Sequence, residues 1–332
     1  MYFRVRLALV AAAVLVPTLR ATIAPGQVNR HVTETLLAPF PPEVRESAVV
    51  SPDGRRLAYV KAVGDREAVV LDGQQQPPYD AVGAPRFSPN SQWFAYAARS
   101  GESWHAVVGA RQQGPYARVG TPQFSPDGAR LAYVAMLPDQ TLAVVVNNQP
   151  GHPYEQILEG RIDFSPDGAR LAFGARLEGK WRAVIDGQAG TAHDFLGAAT
   201  GICFSADGTR TAYAALDGEQ WRIVLDGTVQ PAYENVGQLV FSPDGARVAY
   251  AAMKDGKWHV VVDGGEHAAF DAIAEQSIQF SPDGKQLAYA ARTGDKWAVV
   301  LDGKPDKPYQ DVGQILFSPN GRRFAYQAIG QG

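Results

Sequence analysis

The chain has 332 residues, 45% of them hydrophobic and 20% charged, the balance of a soluble globular protein with a sizeable core. Thirty-one Lys and Arg against thirty-four Asp and Glu give a net charge of −3, and without a basic block this argues against nucleic acid or an anionic membrane as the main partner. Cys203 is the single cysteine, which excludes an intrachain disulfide, and within Gly201-Ile-Cys-Phe it reads as a small core residue.

The N-terminus carries a targeting pattern. Arg4 and Arg6 precede an apolar run from Leu7 to Val16, and Pro17 breaks it. The run is about half as long as a bilayer span but suits the h-region of a secretory signal peptide. Residues 1–24 are therefore expected to be a signal peptide and residues 25–332 an exported chain, periplasmic or extracellular, with no membrane span once mature. An uncleaved anchor is the alternative, and cleavage at Ala21 or Ala24 stays open. Removing residues 1–24 takes away Arg4, Arg6 and Arg20 and no acid, which leaves −6.

Beyond this the chain repeats itself. Phe-Ser-Pro-Asp-Gly stands in full at Phe124 to Gly128, Phe164 to Gly168, Phe241 to Gly245 and Phe280 to Gly284. Weaker copies stand at Val50 to Gly54, Phe87 to Ser91, Phe204 to Gly208 and Phe317 to Gly321. The anchor serines (Ser51, Ser88, Ser125, Ser165, Ser205, Ser242, Ser281, Ser318) are 37, 37, 40, 40, 37, 39 and 37 residues apart. A period of this length marks a repeat architecture.

Each repeat reads as four short β-branched and aromatic runs between turn residues, hence four strands, A to D. In the sixth these are Gln238 to Ser242, Ala246 to Ala252, Trp258 to Val262, and a last stretch through Phe270. Between A and B, Pro presets φ, Asp suits the next turn position and Gly accepts positive φ. Asp72-Gly73, Asp186-Gly187, Asp226-Gly227, Asp263-Gly264 and Asp302-Gly303 do the same between C and D, with Asn147-Asn148 in the third repeat. The second repeat has Gly109-Ala110 there and Asn90-Ser91 at its A–B turn, so its hairpins should be the least regular.

Strand C opens on Trp104, Trp181, Trp221, Trp258 and Trp297, with Glu67 and Leu142 in repeats one and three. Strand B carries Tyr59, Tyr96, Tyr133, Tyr213, Tyr250, Tyr289 and Tyr326, with Phe173 in the fourth. Recurrence once per repeat points to packing between repeats, and Phe173 shows that the ring is wanted rather than the hydroxyl.

Four strands every 37–40 residues with no helical pattern between them favour a closed β-propeller over an open solenoid. After the eighth anchor only strand B remains, while His31 to Leu37 and Pro41 to Glu46 before the first anchor can serve as C and D. The expected fold is an all-β, eight-bladed β-propeller whose last blade is closed by both termini. Seven blades with a spare hairpin is the alternative.

The anchor, the B strand that follows it and the strand C turn together resemble WD-repeat propellers. They resemble more closely the WD-repeat-like propellers of exported bacterial proteins of the TolB type. The resemblance covers nearly the whole mature chain and implies the fold. It does not carry TolB's envelope role, because a separate α/β domain before the propeller is missing. Leu-Asp, Ile-Asp or Val-Asp also replaces the Trp-Asp pair of the wider group.

No G-x-S-x-G, G-x-x-x-x-G-K-[ST] or H-E-x-x-H occurs. His105 and His259 both follow a strand C Trp but lie in repeats two and six, too far apart in an eight-membered ring to share a metal. Asp53, Asp127, Asp167, Asp207, Asp244 and Asp283 could suggest calcium, but one carboxylate per hairpin tip spreads them around a wide rim, where turn chemistry accounts for each. No catalytic residue, cofactor or metal is assigned.

The A–B and C–D turns share one face and hardly vary, whereas the B–C and D–A loops on the other face do. Arg161, Gln238, Gln276 and Gln314 should ring the channel mouth there as a candidate binding rim. The sequence thus reads as a monomeric, non-catalytic, exported scaffold binding a protein or peptide through its variable loops. A lyase or glycan-active enzyme, or a small-ligand or sugar binder using exposed tryptophans, are the alternatives.

Overall fold

The computed structural model describes residues 13–24, 27–39, 47–158, 161–197 and 201–330. The chain divides into two compact parts, Met1–Pro153 with the first three repeats and Tyr154–Gly332 with the other five. Its named elements are all β-strands.

The sixth repeat shows how one unit is made. Asn235–Phe241 (A), Val248–Lys254 (B), Lys257–Val262 (C) and Gly265–Glu266 (D) are antiparallel neighbours in that order. A bridge from Trp258 to Phe270 prolongs the C–D pairing. Seven such sheets follow one another among the described residues, five of them with strand A in two pieces.

Strand B of the sixth repeat is buried on both faces because its sheet stacks between those of the fifth and the seventh. Val248, Tyr250 and Ala252 pack towards Ala212, Ala214 and Ile223 of the fifth repeat. Ala249 and Ala251 pack towards Leu287, Tyr289 and Ala291 of the seventh. The Val-Ala-Tyr-Ala-Ala pattern thus gives each sheet a large face and a small face, and the large face of one fills the small face of the one before. From the second repeat on, each B-strand ring also meets a strand D aromatic edge-on, as in Tyr233–Tyr250 at 6.2 Å and 73°. Tyr154–Phe173 keeps the same geometry at 5.7 Å and 75° without the second hydroxyl. The strand C tryptophans are half-buried against these layers, Trp221 and Trp258 among them.

The turns follow the sequence expectation. Gly168 takes φ 75° and its N–H donates to the Ser165 carbonyl at 2.8 Å. Ser165 is fully buried; its Oγ donates to Asp167 Oδ1 at 2.5 Å and accepts from Arg170 N–H at 2.8 Å. At the C–D turns Asp186 and Gly187 take φ 51° and 80°, and Asn147 and Asn148 take 47° and 66°. Repeat two departs as expected: Ser91 is forced to φ 61°, and only Gly109, at 58°, has positive φ in its C–D turn.

Successive A–B turns of repeats four to seven abut, each still carrying its own aspartate. A Cβ on Gly208 would lie 3.1 Å from Asp167 Oδ1, one on Gly245 3.0 Å from Asp207, and one on Gly284 3.0 Å from Asp244. The anchor glycine is therefore fixed twice, by its φ and by the carboxylate of the preceding turn.

The last sheet differs from the expectation: among the described residues it holds two strands, Asp311–Phe317 and Phe324–Ile329. Gln27–Pro39, which contains the segment expected to complete it, pairs instead with Ala13–Ala24. A hairpin closed over two residues costs far less loop entropy than a pairing across nearly the whole chain. The first half of the expected signal peptide (residues 1–12) and the expected strand at Pro41 to Glu46 lie outside the described residues.

Candidate functional site

A contact set that recurs between repeats defines where the site lies. Strand B begins with an arginine five residues after the anchor serine, and the C–D turn presents its aspartate beside it. Arg56–Asp72, Arg170–Asp186, Arg210–Asp226 and Arg247–Asp263 meet at 2.8–2.9 Å. The other carboxylate oxygen accepts the first N–H of strand B, as in Thr211 to Asp226 at 2.8 Å. The guanidinium then crosses to the next repeat: Arg210 lies 5.4 Å from the Phe241 ring centre and donates to the Ala246 carbonyl at 2.7 Å. Arg56, Arg170 and Arg247 lie over Phe87, Phe204 and Phe280 at 5.3–5.5 Å. One side chain thus ties strand B to its own C–D turn and to the following anchor.

Repeat two has neither member of this clasp. Trp93 stands five residues after Ser88, where the arginine belongs, and Gly109 stands in place of the aspartate. The A–B turn around it is otherwise built as in the other repeats, since Trp93 N–H donates to Ser88 Oγ at 2.9 Å. The indole therefore points where the guanidinium would, and it is 51% exposed, the only exposed tryptophan among the described residues.

Around it opens a cleft of about 420 Å³. Val108, Gly109 and Ala110 of repeat two line it, as do Phe124 and Leu131 of repeat three. Arg111 and Gln113 also line it, and Gln113 accepts the Tyr133 hydroxyl at 3.1 Å. The size suits a small ligand or one large side chain of a partner. The corresponding cleft between repeats four and five is larger, about 790 Å³, and more polar, with Arg170 and Asp226 in its lining. One break in the clasp converts an ion-paired seam into an apolar, aromatic one.

The four rim residues do not form a single site. Gln276 and Gln314 line one polar cleft of about 430 Å³ with Glu275, and Gln276 holds φ 56° there. Gln238 is occupied in joining repeats: its amide donates to the Ile278 carbonyl at 2.8 Å and accepts from Ile278 N–H at 3.0 Å. Arg161 pairs with Asp163 at 2.7 Å beside a space of about 10 Å³, too small for more than a water.

The histidines and the cysteine have local roles. His193 is buried, with Nδ1 2.9 Å from Asp217 Oδ2 and Nε2 2.9 Å from Thr191 Oγ1. His259 Nδ1 lies 3.0 Å from the His267 carbonyl. Burial pushes the Cys203 thiol up, as befits a packing residue. Each turn aspartate is held below the usual carboxylate range first by its own serine, as Ser165 does for Asp167. Among the described residues no three His, Cys, Asp or Glu side chains meet as a metal-holding group.

Trp93 is the candidate that sequence reasoning passed over. Its signal was available: the residue five places after the anchor serine is Arg in repeats one, three, four, five, six and eight, Gln286 in seven, and Trp only here.

No protein-family model and no curated protein matches the chain. Solved structures similar to it include β-propellers. TolB from Acinetobacter baumannii is 16% identical over 76% of this chain and 79% of its own, with a TM-score of 0.31. The Dos1 propeller is 12% identical over 85% and 90%, at 0.37. The β-propeller domain of the Trilobed protease from Pyrococcus furiosus, described as having an open velcro topology, is 15% identical over 76% and 92%, at 0.33. At such values the likeness reaches no further than the repeated β-sheet architecture. No helix among the described residues is long and apolar enough to cross a membrane.

Proposed function

We propose that this chain is a non-catalytic, exported β-propeller that serves as a scaffold for a protein or peptide partner. One observation carries the reading: the clasp that ties repeats together is replaced in repeat two by an exposed Trp93 over an apolar cleft. Exposing an indole to water is unfavourable and forgoes the clasp, so its use lies in what covers it. Tryptophan is also the side chain most enriched where a partner is anchored. The polar cleft shared by Gln276 and Gln314 supports a second, weaker contact on the variable-loop face.

The scaffold has eight blades in this reading. The two-stranded last sheet is completed by the segment before Val49 once Ala13–Ala24, the present partner of Gln27–Pro39, has been removed with the signal peptide.

Selection of random dodecapeptides on the immobilised protein and on Trp93→Ala tests the function. Peptides that share an apolar anchor and are lost on Trp93→Ala are expected. Enrichment indifferent to Trp93, or none, contradicts the proposal.

A further inference from the structure

We infer that the Trp93 cleft reads the C-terminal end of a peptide, with the last apolar side chain against Trp93 and Phe124 and the terminal carboxylate on Arg111. This rests on the peptide-scaffold reading and adds which part of the peptide is recognised.

The argument is one of charge and size. Two arginines and no acid line the cleft. The guanidinium of Arg111 enters no hydrogen bond or ion pair among the described residues. In the seam between repeats four and five, Arg170 is paired with Asp186 at 2.8 Å, and Arg182 donates from Nη1 to the Gly190 carbonyl at 2.9 Å. The position of Arg111, 23 residues after the anchor serine, holds Gln74, Gln188, Thr228, Gly265 and Lys304 in repeats one, four, five, six and seven. Loss of the aspartate at Gly109 and gain of Arg111 therefore fall within three residues of each other and act in one direction. They leave an unneutralised cation at the mouth of an apolar box.

A volume of about 420 Å³ holds one large side chain with its own carboxyl group, not an extended run of residues. The one place in a peptide where an apolar side chain and a fixed negative charge share a single residue is the C-terminus. An internal Asp or Glu next to an apolar residue offers the same charge one position away, and a small aromatic acid offers it without a peptide.

The test measures anisotropy of N-terminally labelled octapeptides ending in Leu, Phe or Trp, each as free acid and as amide. A peptide with an internal Glu and an amidated end, and N-acetylphenylalanine as unlabelled competitor, complete the set. We expect the free acid to bind at least about fivefold tighter than the amide, a gap that narrows with salt and closes in Arg111→Gln. Trp93→Ala, checked for folding by circular dichroism, is expected to lose both. Equal binding of acid and amide overturns the C-terminal reading and leaves the scaffold reading standing, as does preference for the internal Glu. Calorimetric binding of N-acetylphenylalanine with no peptide binding overturns the peptide in favour of a small acid. No binding of any probe at millimolar concentration overturns both readings.

Discussion

Arg210 Nε lies 2.9 Å from Asp226 Oδ2, although sixteen residues separate the two along the chain. The strand B start and the C–D turn meet because C folds back on B, with Thr211 N–H bound to the other oxygen of the same carboxylate at 2.8 Å. The pair alone is half exposed and contributes little. What matters is the continuation of Arg210 onto Phe241 and Ala246 of the next repeat.

Arg210→Gln is therefore expected to cost about 1–2 kcal/mol in urea denaturation, most of it from the lost stacking and carbonyl bonds. Asp226→Asn should cost less, since Asn147 Oδ1 makes the equivalent bond to Leu131 N–H at 2.9 Å. If Asp226→Asn proves the more damaging, the ion pair rather than the crossing is the source of the clasp's stability.

The anchor serine should matter more than the anchor aspartate. Ser165→Ala leaves Arg170 N–H buried without its acceptor and is expected to cost about 1–3 kcal/mol. Asp167→Asn is expected to be near neutral, because Asn90 Oδ1 already accepts the Ser88 hydroxyl at 2.7 Å and Gln92 N–H at 3.1 Å. Equilibrium unfolding of the two variants side by side decides it, and a severe Asp167→Asn would return the carboxylates to functional consideration.

Much of the fold was legible because it is local or periodic. Ser-Pro-Asp-Gly names its own turn, and Leu-Ala-Tyr-Ala-Ala alternates large and small at the strand period, so both strands and their stacking could be read. The clasp was not, since Arg210 and Asp226 become neighbours only after strand C returns. Nor was the contact of Gly245 with Asp207, which joins two turns that are far apart in sequence. Loops that vary between repeats point to Gln238, which is bound within the scaffold. Trp93 and Gly109 instead depart from the pattern on the face that hardly varies.

Two acid-sensitive windows are expected. Burial holds His267 below its ordinary 6.5, with Asp302 opposing and Arg247 adding to it. The folded protein thus binds this proton more weakly than the unfolded chain, so stability is full above pH 6.5 and falls as pH drops below it. In His267→Gln the difference in stability between pH 7.5 and 5.5 should shrink. Asp127 and Asp167 act lower: their carboxyls sit below 3.8, and the stability they lend is lost as pH falls through the folded values. A His267→Gln profile that parallels the unmodified chain would remove the first window.

Residues 1–24 should decide the state of the last sheet. With them, Gln27–Pro39 is held by Ala13–Ala24 and Phe324–Ile329 is a sheet edge with Ile329 59% exposed. A chain beginning at Pro25 is expected to protect the Phe324–Ile329 amides from hydrogen exchange, as strand B amides of the other repeats are protected. Unchanged exchange there would favour seven closed sheets and a spare pair.

If the broken clasp in repeat two is the binding site, mending it removes binding. Trp93→Arg with Gly109→Asp restores the pattern of the other repeats, and Gly109, at φ 58° with nothing near its would-be Cβ, accepts an aspartate as Asp186 does at 51°. Calorimetric titration of the selected peptides into this double variant is the most direct test. Abolished binding in a protein as stable as the original or more so is the predicted result, whereas undiminished affinity would place the site elsewhere.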